Sequence, residues 1–410
     1  MANFSLLSVI GIEIEYMLVD QHSLNVRPLS DIILKDLAGE IVNEVELDDI
    51  CISNELVMHV IELKNNGPKP PSAPIAQHFQ KALKHLLPLL ANHQLQLLPT
   101  GAHPWMDPLK DTVHWPHNNK EIYQQYDRIF NCKGHGWSNL QSMHINLPFS
   151  NDHEFTQLHN AIRLILPLLP ALAASTPCLE GQFTGYQCTR LNYYDHNQAR
   201  IPSISGSIIP EFVQSEAEYQ EKILQPMYQD ILPFDPNGLL QYEWLNSRAA
   251  IPKFDYNAIE IRIVDTQECV NADIAIATAV WAILTTWIHN SDYFLHSPCE
   301  TTILKNLYNL TKKDGMNAPF QDSLLLQQWQ LTKSASNCRD IWSQLIEKSS
   351  HLIDRTSQQI LDTILTHGNL SERIIRATDP INNKESLHTV YTQLGQCLLD
   401  NEQFHSRFIR

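Results

Sequence analysis

Three short segments of the chain alternate apolar and polar residues with a period of two. Residues 11–16 read G-I-E-I-E-Y, residues 143–147 read M-H-I-N-L, and residues 259–265 read I-E-I-R-I-V-D. Successive side chains of a strand point to opposite faces, so each segment is predicted to be a strand with one apolar and one polar face. Such strands favour an antiparallel sheet that packs a core on one side and leaves polar groups on the other.

The remaining patterns add helices to this sheet. Apolar residues recur at helical spacing in residues 75–97, 120–130, 154–174 and 272–290, while residues 46–63 and 97–100 are typical of further extended segments. From residue 301 onward the strand signals stop and helical segments follow, among them residues 338–363. We therefore predict an α+β fold in two parts. Residues 1–300 form a mainly antiparallel sheet with flanking helices, and residues 301–410 form a helical C-terminal extension packed on the same domain.

The polar faces of the predicted strands gather residues that suit metal or phosphate chemistry. The residues concerned are Glu13, Glu15, Glu55, Glu62, His144, Asn146, Glu260 and Arg262. Simpler interpretations stay open: a solvated strand surface for the first two glutamates, an ordinary core histidine, and a cross-strand ion pair for Glu260 and Arg262. Taken together, the segments indicate a sheet with one packed face and one functional face.

Clustered carboxylates indicate a hard divalent cation, because they repel one another unless a positive charge lies among them. Oxygen ligands of this kind select Mg²⁺ or Mn²⁺ rather than zinc. The chain has 13 glycines and neither a G-x-x-x-x-G-K-[ST] loop nor a G-x-G-x-x-G turn. Magnesium held by carboxylates and by the substrate phosphates is the usual way to bind ATP without such a loop.

Composition excludes several classes of partner. The chain has 29 Lys+Arg against 45 Asp+Glu and a formal net charge of −16, which argues against a nucleic-acid or anionic-membrane binder. The longest apolar stretch, residues 274–288, is about 15 residues and shorter than the roughly 20 that a spanning helix needs. The eight cysteines are scattered without a C-x-x-C pair, and residues 1–9 lack the basic region of a signal peptide. We therefore expect a cytoplasmic protein.

Six motifs occur in the order in which one enzyme family has them. They are G-I-E-I-E-Y (11–16), N-E-L-V-M-H-V-I-E-L (54–63), T-G-A-H-P-W (100–105), S-M-H-I-N-L-P-F (142–149), A-S-T-P-C-L-E-G-Q-F-T-G-Y-Q-C-T-R (174–190) and A-I-E-I-R-I-V-D-T-Q (258–267). Over residues 8–290 the chain resembles the glutamate–cysteine ligase type 2 family, which includes the bacterial carboxylate–amine ligases and is related to the plant-type enzymes. The resemblance implies a glutamine-synthetase-like catalytic sheet, ATP with Mg²⁺, and an amide formed from a carboxylate and an amine.

The resemblance also implies roles for single residues. The metal ligands would be Glu13, Glu15, Glu55, Glu62 and Glu260, the catalytic residues Arg262, His144 and Arg190, and the nucleotide-binding residues Arg248, Arg190 and Asn146. Two positions depart from the bacterial branch. Asn146 stands in place of a second histidine, as in the plant-type branch, and Leu245 stands in place of an aspartate.

The implied function is an ATP-dependent ligase that joins the γ-carboxylate of glutamate to the amine of cysteine through an acyl phosphate, which is a step toward glutathione. Two alternatives stay open. One is a ligase of the same chemistry that takes a different amine, and the other is a non-catalytic regulatory or binding paralogue that kept the sheet. We expect small-molecule substrates and no nucleic acid or membrane. The sequence leaves the oligomeric state open, a homodimer included.

Overall fold

The structure is a computed structural model that describes residues 4–289, 298–331, 334–378 and 384–405. The strands in these ranges are β1 (Gly11–Asp20), β2 (Glu44–Leu47), β3 (Ile50–Asn54), β4 (Val60–Asn65), β5 (Leu95–Leu98), β6 (Ser142–Pro148), β7 (Cys178–Leu179), β8 (Gln182–Phe183), β9 (Ala250–Lys253) and β10 (Ala258–Asp265). Strands β7 and β8 form a separate small hairpin, and the other strands form one sheet.

Helices surround this sheet and fill the C-terminal third of the chain. They are α1 (Ser30–Ala38), α2 (Ile75–Asn92), α3 (Pro108–Asp111), α4 (Lys120–Phe130), α5 (Asp152–Ile165), α6 (Leu169–Ala173), α7 (Thr189–Tyr194), α8 (Glu216–Tyr219), α9 (Gln225–Ile231), α10 (Val270–His289), α11 (Thr301–Asp314), α12 (Ser323–Gln328), α13 (Cys338–Ser349), α14 (Arg355–His367), α15 (Leu370–Ala377) and α16 (Lys384–Asp400). The region 154–174, which contains Pro167 and Pro170, is interrupted between α5 and α6 by a 3₁₀ turn at Leu166–Leu168.

The large sheet has eight strands in the order β2-β3-β4-β1-β6-β10-β9, and β5 pairs with the far end of β1. Every pairing in it is antiparallel. The mainly antiparallel sheet predicted from the alternating segments is therefore confirmed. Strand β1 is central, because it pairs with β4 on one side and with β6 on the other.

One face of the sheet is apolar and fully buried. Ile12, Ile14 and Tyr16 of β1 lie on it and belong to one large hydrophobic cluster together with residues of β6, α5 and α10. Helix α10 is apolar around its whole circumference, as expected of a helix that is surrounded by protein. By length and composition it could also cross a membrane, but 78% of its apolar window is buried inside the structure. The helix is thus longer than the apolar stretch of about 15 residues counted from the sequence, and burial in the core accounts for its composition.

Helices α11 to α14 contribute to the same core. Leu304 of α11, Trp342 of α13 and Leu361 of α14 belong to the hydrophobic cluster of the sheet. The indole nitrogen of Trp342 donates to the carbonyl of Leu168 at 3.0 Å. The division of the chain at residues 300 and 301 stays a prediction.

Candidate active site

The register of the sheet aligns the predicted polar residues across neighbouring strands. Glu15 of β1 lies opposite Glu62 of β4, and Glu13 lies opposite His144 of β6. Asn146 of β6 then lies opposite Glu260 of β10. Since directly opposed residues project from the same face, these side chains form one polar surface that faces away from the core.

His144 lies at the centre of this surface, between the two glutamates of β1. Its Nδ1 donates to Glu13 Oε2 at 3.0 Å, and its Nε2 lies 2.9 Å from Ser142 Oγ and 4.0 Å from Glu15 Oε1. Asn146 Nδ2 donates to the other oxygen of Glu13 at 3.0 Å. The backbone amide of Ser142 donates to Glu15 Oε2 at 2.7 Å. The imidazole ring and both carboxylates are therefore held in fixed positions.

Two groups of side chains offer converging ligand atoms. Glu13, His144 and Glu260 form the first ligand set, and Glu15, Glu62 and His144 form the second ligand set; in each set the ligand atoms lie within 4.8 Å of one another. The two carboxylates of each set suit a hard divalent ion such as Mg²⁺ or Mn²⁺. The donor chemistry therefore fits the ion that the sequence predicts.

Burial and mutual repulsion together raise the pKa of two of these carboxylates. Burial and the charge of Glu13 raise the pKa of Glu62 to about 7. Glu55 follows β3 and is half-buried, and burial with the charges of Glu62 and Glu15 raises its pKa well above the usual value. A cation among these groups would relieve the repulsion.

Glu13 behaves differently from the other carboxylates. Burial by itself would raise its pKa, but the hydrogen bond from His144 and the charge of Lys253 outweigh it and hold the pKa well below the usual range. Glu13 is therefore ionised at neutral pH, and its charge is available to a bound ion.

Three cations flank the carboxylates. Arg262 Nε donates to Glu260 Oε1 at 2.8 Å, and its Nη1 donates to the carbonyl of Asn246 at 3.2 Å. Lys253 of β9 contacts the other oxygen of Glu260, and on the far side Lys64 lies 3.5 Å from Glu62 Oε1. Glu260 and Arg262 thus form an ion pair within one strand, on the same surface as the candidate ligands.

Arg190 is placed beyond the Glu15 end of the surface and is fully buried. Its Nε donates to Asp265 Oδ1 at 2.6 Å, and the side chains are 1% and 0% exposed. Asp265 also accepts from Ser175 N and Thr176 Oγ1 at 2.9 Å each. Although burial opposes it, the charge of Asp265 raises the pKa of Arg190, so the guanidinium stays charged.

The ion pair of Arg190 and Asp265 lies close to the loop after β5, and the glycine at position 101 allows this approach. A Cβ atom at residue 101 would lie 2.7 Å from Asp265 Cγ and 2.9 Å from its Cβ. The amide of Gly101 donates to Ser175 Oγ at 2.8 Å, which ties the same loop to the segment that precedes Arg190. No side chain fits at this position without moving Asp265.

Arg248 is not brought together with the carboxylates. Its Nε and Nη2 donate to the two oxygens of Glu211 at 2.7 and 2.8 Å, and its Nη1 donates to the carbonyl of Ser203 and to Asn246 Oδ1 at 3.2 Å each. Because these bonds occupy the guanidinium, Arg248 fixes the loop before β9. Its predicted nucleotide contact stays a prediction.

Sequence reasoning missed four side chains that shape the surface: Lys64, Ser142, Lys253 and Asp265. The two-residue spacing from Glu62 to Lys64 and from Ser142 to His144 could have placed the first two on the polar face. Lys253 gave no such signal, because β9 reads A-I-P-K and does not alternate.

Comparisons with known proteins agree with the six motifs. The sequence profile of glutamate–cysteine ligase family 2 matches residues 9–393. An uncharacterized protein of Archaeoglobus fulgidus is 32% identical over 399 residues, which cover 97% of this chain and 100% of that protein. A Corynebacterium efficiens protein provisionally named glutamate–cysteine ligase 2-1 is 25% identical over 263 residues, which cover 63% of this chain and 61% of that protein.

A solved structure has a similar fold. The glutamate–cysteine ligase of Francisella tularensis in complex with AMP matches with a TM-score of 0.63 at 13% identity, and the match covers 97% of this chain and 90% of that chain. This likeness confirms the predicted α+β fold with a glutamine-synthetase-like sheet. Because the family profile spans nearly the whole chain, the chain belongs to glutamate–cysteine ligase family 2.

Proposed function

We propose that this protein is an ATP-dependent ligase that joins the γ-carboxylate of glutamate to the amine of cysteine. Membership of the family supports the coarser statement, an ATP-dependent carboxylate–amine ligase. The observation that carries the proposal is the convergence of two ligand sets on one sheet face, with ligand atoms within 4.8 Å in each. An array of carboxylates this dense suits the binding of a metal–polyphosphate better than it suits a structural surface.

The chemistry needs an activated carboxylate, because an amine cannot displace oxide from a carboxylate at neutral pH. An oxygen of the γ-carboxylate attacks the γ-phosphorus of ATP, the bond to the bridging oxygen breaks, and ADP leaves. The amine nitrogen then attacks the carbonyl carbon of the acyl phosphate, inorganic phosphate leaves, and the nitrogen loses a proton. The product is an amide.

Glu13, Glu15, Glu55, Glu62 and Glu260 would hold Mg²⁺ or Mn²⁺. The ion, when bound, neutralises charge on the phosphate oxygens during transfer. His144 keeps the carboxylates of Glu13 and Glu15 apart and oriented, and Asn146 orients Glu13 through its amide. These contacts let the carboxylates bind an ion without rearranging.

The arginines divide into two groups under this proposal. Arg262 is 22% exposed and lies on the polar face, so it is the one we assign to a phosphate or substrate carboxylate. Arg190 and Arg248 are 1% and 3% exposed and are bound to Asp265 and Glu211. Those ion pairs favour a positioning role for both.

A panel of amines assayed for ADP formation with glutamate, ATP and Mg²⁺ tests the proposal. Turnover that depends on cysteine supports it. Turnover with another amine supports a ligase of different acceptor specificity, and no turnover with retained nucleotide binding supports a non-catalytic paralogue. A role in glutathione synthesis and a cytoplasmic location are parts of the same proposal.

A further inference from the structure

Lys253, the last residue of β9, extends its side chain into the group of carboxylates. Its Nζ contacts Glu260 Oε2 and lies 4.0 Å from Glu13 Oε1. The Lys253 side chain is 30% exposed, whereas that of Glu260 is 1% exposed. The ammonium therefore enters the polar face from solvent and ends at two carboxylates that are otherwise candidate metal ligands.

The ammonium group and a metal ion would need the same two carboxylates. Glu13 and Glu260 are the carboxylates of the first ligand set and would hold an ion there, while His144, whose Nδ1 carries a proton toward Glu13, would ligate through Nε2 in the second set. A divalent ion bound there would lie close to the Lys253 Nζ, and like charges at such a distance repel in a partly buried site. The ion and the ammonium can thus share these carboxylates only if the ammonium moves.

The second ligand set has a different neighbour. Lys64 lies 3.5 Å from Glu62, but it is closer to Glu44, at 2.6 Å, and it also donates to Ser53. Glu44 belongs to neither ligand set, so Lys64 keeps a counter-ion of its own when a metal binds. Among the residues that the structure describes, Lys253 pairs with Glu13 and Glu260 alone. The two ligand sets therefore differ in how strongly a built-in cation opposes a metal.

We propose that Lys253 is a built-in counter-ion that competes with the divalent cation for Glu13 and Glu260. The second ligand set then fills first, and the first ligand set fills only when the Lys253 ammonium is drawn away. A phosphate group arriving with its metal would offer the displaced ammonium a new partner. Lys253 is thus a positioning residue that couples binding of one ion to binding of the polyphosphate.

The test is a Mn²⁺ titration of the full chain without substrates, with free Mn²⁺ followed by electron paramagnetic resonance. We expect the parent to bind one ion tightly and a second at least about tenfold more weakly. K253M should tighten the weaker ion by about tenfold, and K253R, which keeps the charge, should not. ADP should tighten the weaker ion in the parent more than in K253M.

Two further variants make the assignment specific. In an E260Q background the K253M substitution should change neither affinity, because the first ligand set is already broken. K69M is the matched control, since Lys69 is 22% exposed and pairs with Asp49, which belongs to neither ligand set. Equal affinities for the parent and K253M, or an effect of K253M that persists with E260Q, would overturn the inference.

The inference rests on the proposed metal role of this face and not on the identity of the amine. If no variant binds Mn²⁺, both the inference and the metal role in the proposed function fail. If ions bind but K253M has no effect, the inference alone fails. Comparable thermal midpoints of all variants establish that each is folded.

Discussion

Glu15 differs from Glu13, Glu62 and Glu260, each of which has a lysine nearby, in how its charge is balanced. It accepts hydrogen bonds from the amide and hydroxyl of Ser142, and among the described residues no lysine or arginine lies within ion-pair distance. It is 5% exposed, so water does not solvate it fully. A bound cation is therefore the natural partner of this charge, and Glu15 is the residue at which the metal assignment is best tested.

Glu15→Gln should reduce amine-dependent ADP formation by roughly a hundredfold or more, because the metal-borne stabilisation of transferring phosphate is worth several kcal/mol. Steady-state ADP release at saturating Mg²⁺ measures it. The matched control is Glu46→Gln on edge strand β2, an exposed carboxylate that we expect to leave the rate within about twofold. Parental activity in a folded Glu15→Gln protein would rule out the metal role of this residue.

The face on which the Asp265 side chain lies could not be predicted from the sequence. Strict alternation along residues 259–265 places it on the apolar face with Ile259 and Ile261. A register shift between Ile261 and Val264 instead places it opposite Ser142, on the polar side, where it binds Arg190. A bulge of this kind depends on how β6 and β10 pair, and the local sequence does not encode that pairing.

At the scale of elements, strongly periodic segments were predictable and irregular ones were not. Strands β1, β6 and β10 and helix α4 lie where their patterns predict. The single helix predicted over 338–363 is wrong, because the chain breaks before α14. There the side chain of Asp354 accepts from the amides of Thr356 and Ser357 and starts a new helix.

The C-terminal helices are elements of the core rather than an appendage. The indole nitrogens of Trp329 and Trp342 donate to the carbonyls of Leu164 and Leu168, at 3.0 Å each, and both tryptophans are fully buried. Removing them would expose the helices beneath the sheet and take the indole donors from those carbonyls.

We therefore expect a fragment of residues 1–300 to lose cooperative folding. Circular dichroism melts and solubility of the purified fragment measure this. Leu310→Ala on the exposed side of α11 serves as the control and should change the unfolding free energy by less than about 1 kcal/mol. A fragment that melts cooperatively at the full-length midpoint would show instead that residues 1–300 are an independent domain.

At the scale of the whole molecule, buried histidines and buried glutamates have opposite effects on the stability of the fold as the pH falls. Burial lowers the pKa of His59, His103 and His159 to about 4 each, from 6.5. Between those values the unfolded chain binds protons that the folded chain does not, so acidification through this window destabilises the fold. Glu55 and Glu62 act in the opposite direction, because their raised pKa values let the folded protein take up protons first.

Comparison of the parent with H159Q isolates the contribution of His159 to this response to acid. His159 Nε2 donates to the carbonyl of Glu211 at 3.0 Å, and the amide of a glutamine can replace that bond. When the pH is lowered from 7.5 to 5, the free energy of unfolding should fall by about 2 kcal/mol less in H159Q than in the parent. Urea denaturation at both pH values measures this, and identical losses in the two proteins would contradict the assignment.

The contact between Gly101 and Asp265 limits how relatives of this chain can diverge. The two residues are 164 positions apart, yet a Cβ at one would lie 2.7 Å from the carboxyl carbon of the other. A descendant that gains a side chain at position 101 must therefore lose or displace the carboxylate at 265, and with it the partner of Arg190. In any set of relatives we therefore expect a carboxylate at position 265 that binds the buried arginine to occur only together with a glycine at position 101.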